Sequence, residues 1–296
     1  MVTLKSGFKI LVWGLIIIPI IFSMAFADEG NPGENKLKVC ADPYMLPFSN
    51  KDSEGFENKI AELFAEKMGM ELEYMWFPQR IGFIRNTLRA ESEEGLGYKC
   101  DLVINVPSNF ELAATTKPYY SSVYMLVYAK GRGLDEVTSP ELLKEVVKNG
   151  AKVRFGVTDR GPGQMWVFRN DLLGSMVPYQ GQPGDPKVHP GHTLIKDIVD
   201  NKIDAAVIWG PTAGYYAKKY RDKAELVLLP LKDDEEYAEA RYTYSMAMAV
   251  RYGEKEWKDK VNQLIDENRD EILKILNDYG IPLVETKIVQ QEEDDD

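Results

Sequence analysis

The sequence predicts an α/β protein with two lobes, each built on a mostly parallel β-sheet flanked by helices. Two observations lead to this fold class. Apolar strand-like runs alternate with amphipathic helices up to residue 106, an order typical of a parallel sheet with right-handed crossovers. Two β-rich runs, 117–128 and 242–250, then enclose a second α/β unit. We therefore expect these two runs to be hinge strands that cross between the lobes.

The first strand, loop and helix carry the pattern most clearly. The apolar run 37–41 leads into a loop, 42–48, that contains two prolines. The next segment places its apolar residues on one helical stripe: Phe56, Ile60, Leu63, Phe64 and Met68. Gly69 is suited to end this helix. Open α/β sheets bind ligands at the carboxyl ends of their strands, so we expect the loop to face a cleft.

The remaining elements follow in the same alternation. We predict an inward-facing helix from Gln79 to Ala90, with Ile81, Ile84 and Leu88 buried, and a strand over 101–106. The later predicted elements are helix 139–149, strand 153–157, a helix holding Trp166, helix 193–201, strand 204–209, helix 211–220, strand 225–231 and one long terminal helix through Trp257 and Tyr279.

Five segments are predicted along the chain. They are a signal peptide (1–27), a polar leader (28–36), a first lobe (37–125 plus 241–285), a second lobe (126–240) and an acidic tail (286–296).

The N-terminal segment has the order of a secretory signal. Lys5 and Lys9 precede an apolar run, 10–22, and Ala25-Phe26-Ala27 offers a cleavage site before Asp28. An uncleaved membrane anchor is the alternative, but the run is short for a span of ~20 residues and contains a proline. We expect an exported, periplasmic protein without stable membrane insertion.

The net charge of the chain restricts the kinds of partner that it can bind. The formal net charge is −11, which argues against nucleic acid and anionic membrane surfaces and suits a basic protein partner.

Cys40 and Cys100 are the two cysteines. An exported chain tends to oxidise such a pair if the Cα atoms lie within about 7 Å. We expect a disulfide, the alternative being two thiols held apart by an offset of their strands.

Several long phrases resemble a known family. They are VCADPYMLPFSN, GFENKIAELFAE, WFPQRIGFIRNTLRA, KCDLVINVP, TTKPYY, AAVIWGPTAGYYA and ILNDYGIP. The chain after residue 27 resembles the type II periplasmic solute-binding proteins that serve ABC transporters, and within them the MxaJ/XoxJ family. These accessory proteins are encoded with PQQ-dependent methanol dehydrogenases. The resemblance implies a type II periplasmic binding protein fold with a ligand cleft between its lobes.

The same resemblance indicates what the cleft does not bind. Amino-acid receptors of this superfamily hold the ligand carboxylate with an arginine that follows the third strand of the first lobe. This chain has no arginine between Cys100 and Pro118, and Glu111 stands near the expected place. The receptors bind the ammonium group with an aspartate where this chain has Trp209. Without these ionic clamps, α-amino acids are not expected as ligands.

Aromatic and charged residues near strand ends are the candidate cleft residues. They are Asp42, Tyr44, Phe48, Glu57, Trp76, Arg80, Glu111, Arg160, Trp166 and Trp209. Burial in a lobe core is the alternative for most of the aromatics. Asp42, Glu57 and Glu111 offer oxygen ligands, but their spacing matches no metal loop, so no metal site is predicted. His189 and His192 are interpreted as part of a turn before a helix.

These observations lead to one main functional hypothesis. The chain is predicted to be a non-enzymatic accessory protein that binds a PQQ-dependent methanol or alcohol dehydrogenase, of the lanthanide type, or assists its maturation. We expect a monomer that binds no cofactor itself, with PQQ and lanthanide or calcium in the partner, and a basic cytochrome c as a second candidate partner. The alternative is an ABC-transporter receptor for a small ligand that is not an amino acid.

Overall fold

The computed structural model describes residues 1–3, 35–93, 95, 97–233 and 241–285. Its strands are β1 (Lys36–Ala41), β2 (Tyr44–Met45), β3 (Ser49–Asn50), β4 (Glu71–Trp76), β5 (Leu102–Pro107), β6 (Ala114–Thr115), β7 (Tyr120–Ala129), β8 (Phe155–Thr158), β9 (Met176–Tyr179), β10 (Ala205–Trp209), β11 (Leu226–Pro230) and β12 (Thr243–Val250). Its α-helices are α1 (Phe56–Met68), α2 (Phe83–Asn86), α3 (Pro140–Lys148), α4 (Pro162–Arg169), α5 (Pro190–Val199), α6 (Gly210–Tyr220), α7 (Lys255–Glu267) and α8 (Arg269–Asp278). The predicted signal peptide, most of the leader and the acidic tail lie outside the described residues.

Strand β7 joins two halves of one long sheet. The strand order is β4-β1-β5-β12-β7-β10-β8-β9, with β11 also paired to β7 and β6 to β12. The outer pairs of each half are parallel, whereas β7 and β12 run antiparallel to their neighbours. The first half of β7 pairs with β12 and its second half pairs with β10 and β11. The mixed α/β architecture predicted from the sequence is confirmed.

Two hydrophobic cores correspond to the two halves of the sheet. We call the part around β1, β4, β5, β12, α1, α2, α7 and α8 the first lobe, and the part around β8–β11 and α3–α6 the second lobe. Phe56, Phe64 and Tyr120 are fully buried in the first lobe, and Leu126 and Phe155 in the second. The exact boundaries at 125/126 and 240/241 stay a prediction.

Helix α1 shows how the sequence positions the loops of the first lobe. Its stripe of Phe56, Ile60 and Phe64 is completely buried. The Asn58 side chain accepts hydrogen bonds from the backbone N–H of Gly55 and Asn50, which anchors the loop before the helix. Gly69 ends the helix in the left-handed conformation, with φ 66°.

The predicted helix from Gln79 to Ala90 is wrong. Helix α2 covers Phe83–Asn86, and Ile81, predicted to face inward, is 87% exposed. Gly82 has φ +89°, a conformation that no helix interior contains. The segment before it therefore forms bends and a turn and is not helical. Two other boundaries differ as well. Helix α5 begins three residues earlier than predicted, and the terminal helix is broken at Asn268 into α7 and α8.

A disulfide joins the two strands at the centre of the first lobe. Cys40 in β1 is bonded to Cys100, just before β5, with a Cα–Cα distance of 5.5 Å. Both residues are buried. Although Cys40 is in register with Val103, the loop before β5 brings Cys100 back within reach.

Candidate functional site

A groove of about 790 Å³ lies between loops of the two lobes. Its first-lobe wall is the loop after β1, through Met45, Leu46 and Phe48, together with Ile81. Its second-lobe wall combines the β8–α4 loop, the loop before α5, and the junction of β10 with α6. The walls come from carboxyl ends of parallel strands, where open α/β sheets place their ligands.

Asp42 fixes the shape of the first-lobe wall. Its carboxylate accepts hydrogen bonds from the backbone N–H of Tyr44, at 2.8 Å, and of Gln79, at 2.6 Å. The residue is buried. Asp42 therefore ties the β1 loop to the segment before α2 and lies outside the residues that line the groove. Phe48 does line the groove, supported by Phe56 at 5.4 Å between ring centroids.

Trp209 forms an aromatic floor on the second-lobe side. Its ring lies 5.1 Å from that of Tyr124 and 5.8 Å from that of Tyr244. The backbone continues from Trp209 directly into α6, where Gly210 packs so closely that a Cβ there would lie 2.6 Å from the Val123 carbonyl oxygen. The floor is thus held by the hinge strand β7.

Arg160 supplies a positive charge to the groove. It follows β8, has φ 56°, and its backbone N–H donates to the Gln164 side chain at 2.8 Å. Its own side chain is exposed and forms no ion pair with a described residue. The side chain can therefore meet an anionic group on a ligand or partner.

A clasp connects the lobes across the groove. We use this name for Tyr44 and Arg80 of the first lobe with residues 184–189 of the second. The Arg80 guanidinium donates to the carbonyl oxygens of Asp185, at 2.7 Å, and of Gly184, at 3.3 Å. The Lys187 ammonium lies 5.3 Å from the centre of the Tyr44 ring. These contacts join the two lobes across the groove.

The two histidines belong to this region, which the sequence interpretation missed. His189 hydrogen-bonds the backbone of Tyr44, and its Nε2 is buried with no partner among the described residues. Burial lowers the pKa of His189 more strongly than the nearby Asp42 raises it. His192 stacks on Tyr216 at 4.1 Å and its Nε2 lies 2.8 Å from the Tyr220 hydroxyl. Both line the groove, and the HPGH phrase at a helix start was the available signal.

Glu57 lies in a buried polar cluster beneath the first-lobe wall. Burial raises the pKa of Glu57 to about 8. The hydrogen bond with Asn105 lowers this pKa in part, and the nearby charge of Asp42 raises it further. The side-chain amide oxygen of Asn105 in turn accepts a hydrogen bond from the Tyr120 hydroxyl at 3.1 Å. Glu57 Oε1 has no hydrogen-bond partner in the described part of the chain. At pH 7 the carboxyl is mainly neutral, which suits its buried position.

Besides Asp42 and Glu57, three more of the predicted cleft residues do not line the groove. Trp166 is packed in the second-lobe core, stacked on Phe155 at 5.5 Å. Trp76 ends β4 and stacks on Tyr74 at 4.5 Å, away from the groove lining. Glu111 is exposed, and its backbone oxygen accepts from the Tyr252 hydroxyl. The structure therefore brings Phe48, Arg160 and Trp209 to the groove, with Tyr44 and Arg80 closing it.

In residues 35–93, 95, 97–233 and 241–285, no group of three or more His, Cys, Asp or Glu side chains is arranged to hold a metal ion. Within the same ranges no helix is both long and apolar enough to cross a membrane.

Comparison with known proteins finds relatives that extend over both lobes. Protein MoxJ of Methylorubrum extorquens is 27% identical over 271 residues, covering 87% of this chain and 85% of that protein. The crystal structure of periplasmic binding protein XoxJ from Methylobacterium extorquens AM1 superposes with a TM-score of 0.65 and 29% identity, covering 84% of this chain and 100% of that chain. MxaJ from Methylophaga aminisulfidivorans MPT gives a TM-score of 0.66 and 26% identity over the same shares. No family model matches the sequence. The predicted two-lobed periplasmic binding protein fold is confirmed.

Proposed function

Because the chain belongs to the MxaJ/XoxJ family of periplasmic binding proteins, we propose that it is a periplasmic accessory protein of a PQQ-dependent methanol or alcohol dehydrogenase. In this proposal it has no enzymatic activity of its own. It binds the dehydrogenase, of the lanthanide type, or assists its maturation through the groove between the lobes. PQQ and the metal ion reside in the partner enzyme.

The aromatic and arginine side chains that line the groove are the main support for this proposal. Phe48 and Trp209 present aromatic surface from opposite lobes, with the Arg160 charge beside them. Aromatic and arginine side chains are the residues that contribute most to protein–protein recognition. The carboxylate-binding arginine of amino-acid receptors has no counterpart in the sequence between Cys100 and Pro118. A protruding element of a folded partner suits this lining better than a free amino acid does.

A capture experiment tests the proposal. Tagged protein comprising residues 28–296 is used as bait in periplasmic extract of the native host, together with the variants Trp209→Ala and Arg160→Glu. We expect wild type to recover a quinoprotein dehydrogenase subunit and both variants to recover much less. Arg160 is exposed, so its substitution tests the groove without disturbing a core.

The matched control is Tyr252→Ala, which removes an aromatic ring that is 62% exposed and lies outside the groove lining. This variant is expected to recover the dehydrogenase as wild type does. No contact between purified wild type and either apo or holo dehydrogenase at micromolar concentration would exclude the proposal.

A transport receptor for a small ligand is the second candidate. The groove volume falls in the range of about 300–1,000 Å³ that ligand sites occupy, and the clasp resembles a closed receptor. A ligand present at ~100 times its dissociation constant would add about 2.7 kcal/mol to the free energy of unfolding. A thermal-shift screen of organic acids, cofactors and metal chelates, run on wild type and on Trp209→Ala, distinguishes the two candidates. A receptor whose ligand lies in the groove predicts a shift that the variant loses, whereas the accessory role predicts no shift that depends on Trp209.

A further inference from the structure

A second cavity, of about 650 Å³, is built entirely by first-lobe residues between 79 and 112. It lies between the α2 segment and the carboxyl end of β5. Phe83, Ile84 and Val106 line it and are buried, so this part of the wall is apolar. Of the residues that line the groove, it shares Ile81. The cavity therefore adjoins the groove at Ile81, and its other lining residues are its own.

Three arginines surround this cavity. They are Arg80, Arg85 and Arg89. Arg80 donates to backbone carbonyls of the clasp, whereas Arg85 and Arg89 form no ion pair with any described residue. Arg85 folds back over Gly82, with its Nη2 3.3 Å from the position that a Cβ there would occupy.

Two other arginines of the chain have carboxylate partners. Arg154 is paired with Asp204 at 2.6 Å, and Arg251 with Asp101 at 2.8 Å. In a chain with a net charge of −11, carboxylates are plentiful, yet none pairs with the arginines of the cavity within the described ranges. The cavity thus combines apolar walls with an uncompensated positive rim.

The rim also exposes apolar surface. Leu112 is 54% exposed and Ile81 is 87% exposed. Contact with water is unfavourable for both side chains, and a ligand with an apolar body would cover them. A guanidinium group grips a carboxylate or sulfonate through two charge-assisted hydrogen bonds.

We propose that this cavity binds a small organic anion, a carboxylate or sulfonate, whose apolar body fills the space and whose acidic group is held by Arg85 and Arg89. The cavity volume lies within the range of about 300–1,000 Å³ typical of small-molecule sites. The proposal does not depend on the dehydrogenase, because both arginines lie outside the groove lining.

A pair of fluorescent probes tests both parts of this proposal. One is 1-anilinonaphthalene-8-sulfonate, an anion with an aromatic body, and the other is its uncharged relative N-phenyl-1-naphthylamine. Each is titrated into the full mature chain, residues 28–296. We expect one saturable site that binds the anionic probe at least about tenfold more tightly, since charge-assisted hydrogen bonds to the arginines stabilise the anion and not the neutral probe.

The variant Arg85→Ala/Arg89→Ala is expected to weaken the anionic probe at least about tenfold and to leave the neutral probe unchanged. Both arginines are exposed, so the fold does not depend on them. Arg221→Ala, which removes an exposed arginine of the second lobe, is the matched control and should bind as wild type does. Leu112→Gln is expected to weaken both probes, because it changes the apolar wall.

Three results would overturn the proposal. The first is wild-type affinity for the anionic probe in the double arginine variant. The second is loss of the site in Arg160→Glu, which would place the probe in the groove. The third is the absence of saturable binding by wild type up to about 1 mM. None of these results touches the capture of a dehydrogenase, so the two proposals fail separately.

Discussion

The Arg80 guanidinium of the first lobe donates a hydrogen bond of 2.7 Å to the carbonyl oxygen of Asp185 in the second lobe. The two residues are 105 positions apart in the chain. Their bond, with the weaker one to Gly184, closes the groove at a point where Tyr44 and Lys187 also meet. The Arg80–Asp185 bond is therefore one of the polar contacts that join the two lobes at the edge of the groove.

Replacing Arg80 by alanine is expected to open the groove. The two hydrogen bonds are solvent-exposed, so their loss should shift the closed–open equilibrium by about 1 kcal/mol, a several-fold change. Small-angle X-ray scattering of the free protein should show a larger radius of gyration for Arg80→Ala than for wild type. Arg221→Ala is the control, and equal radii for all three proteins would contradict a role for the clasp in closure.

Glu57 should make the stability of the protein fall as the pH rises. Its folded-state pKa is about 8, above the ordinary value of 4.5, so the folded protein holds a proton that the unfolded chain releases between these values. The contribution is complete below pH 4.5 and is lost as the pH rises towards 8.

Glu57→Gln replaces the protonated carboxyl by an uncharged amide of the same shape, which removes the pH dependence of stability. At pH 9 the variant should exceed wild type in free energy of unfolding by roughly 3–5 kcal/mol, from about 1.4 kcal/mol per pKa unit, and at pH 4.5 the two should be similar. Urea denaturation at both pH values measures the difference. An equal gap between the two proteins at both values would show that Glu57 does not titrate in this interval.

Loss of the disulfide should destabilise the first lobe. Cys40 and Cys100 are separated by 60 positions, and the chain-entropy estimate for closing such a loop is about 4 kcal/mol. The variant Cys40→Ser/Cys100→Ser is therefore expected to unfold at a clearly lower urea concentration than oxidised wild type. Wild type unfolded in the presence of a reducing agent should approach the variant, and coincidence of all three curves would be the contrary result.

Gly214 marks the closest approach between α6 and the chain after α8. A Cβ at Gly214 would lie 2.0 Å from the Gly280 carbonyl oxygen and 2.8 Å from Pro282 Cδ, so the backbone must shift to accept it. We expect Gly214→Ala to cost about 1–3 kcal/mol in free energy of unfolding. Gly174→Ala, where nothing lies within 4 Å, is the control measured in the same urea series. If Gly214→Ala is as stable as wild type, the backbone at this contact can shift at little cost in free energy.

The elements with strong local patterns could be predicted from the sequence. Helix α1 has an apolar stripe and a terminal glycine, and both features are determined by neighbouring residues. The segment after Pro78 has a similar stripe, but Gly82 takes a left-handed φ and Ile81 points outward. Periodicity does not reveal that choice, because it is made by the backbone of one glycine.

The groove could be predicted in part. Phe48, Arg160 and Trp209 follow strands, and position after a parallel strand is a signal present in the sequence. Tyr44 and Arg80 of the clasp were among the predicted cleft residues. Their second-lobe partners had no such signal, since the Arg80 guanidinium donates to backbone carbonyls that any residue type supplies. Trp166 follows a strand as well, yet its helix turns it inward onto Phe155.

Strand β12 constrains the order in which the two lobes can be completed. It lies between β5 and β7 in the sheet, but it begins at Thr243, after the second lobe has been completed along the chain. Domains usually fold from the N-terminus as they are made. Here the second lobe can close first, while the edge of β5 waits unpaired from Pro107 until Thr243 emerges. The first lobe is thus completed last. Until β12 is available, the unpaired edge of β5 is the part of the molecule that a chaperone would protect.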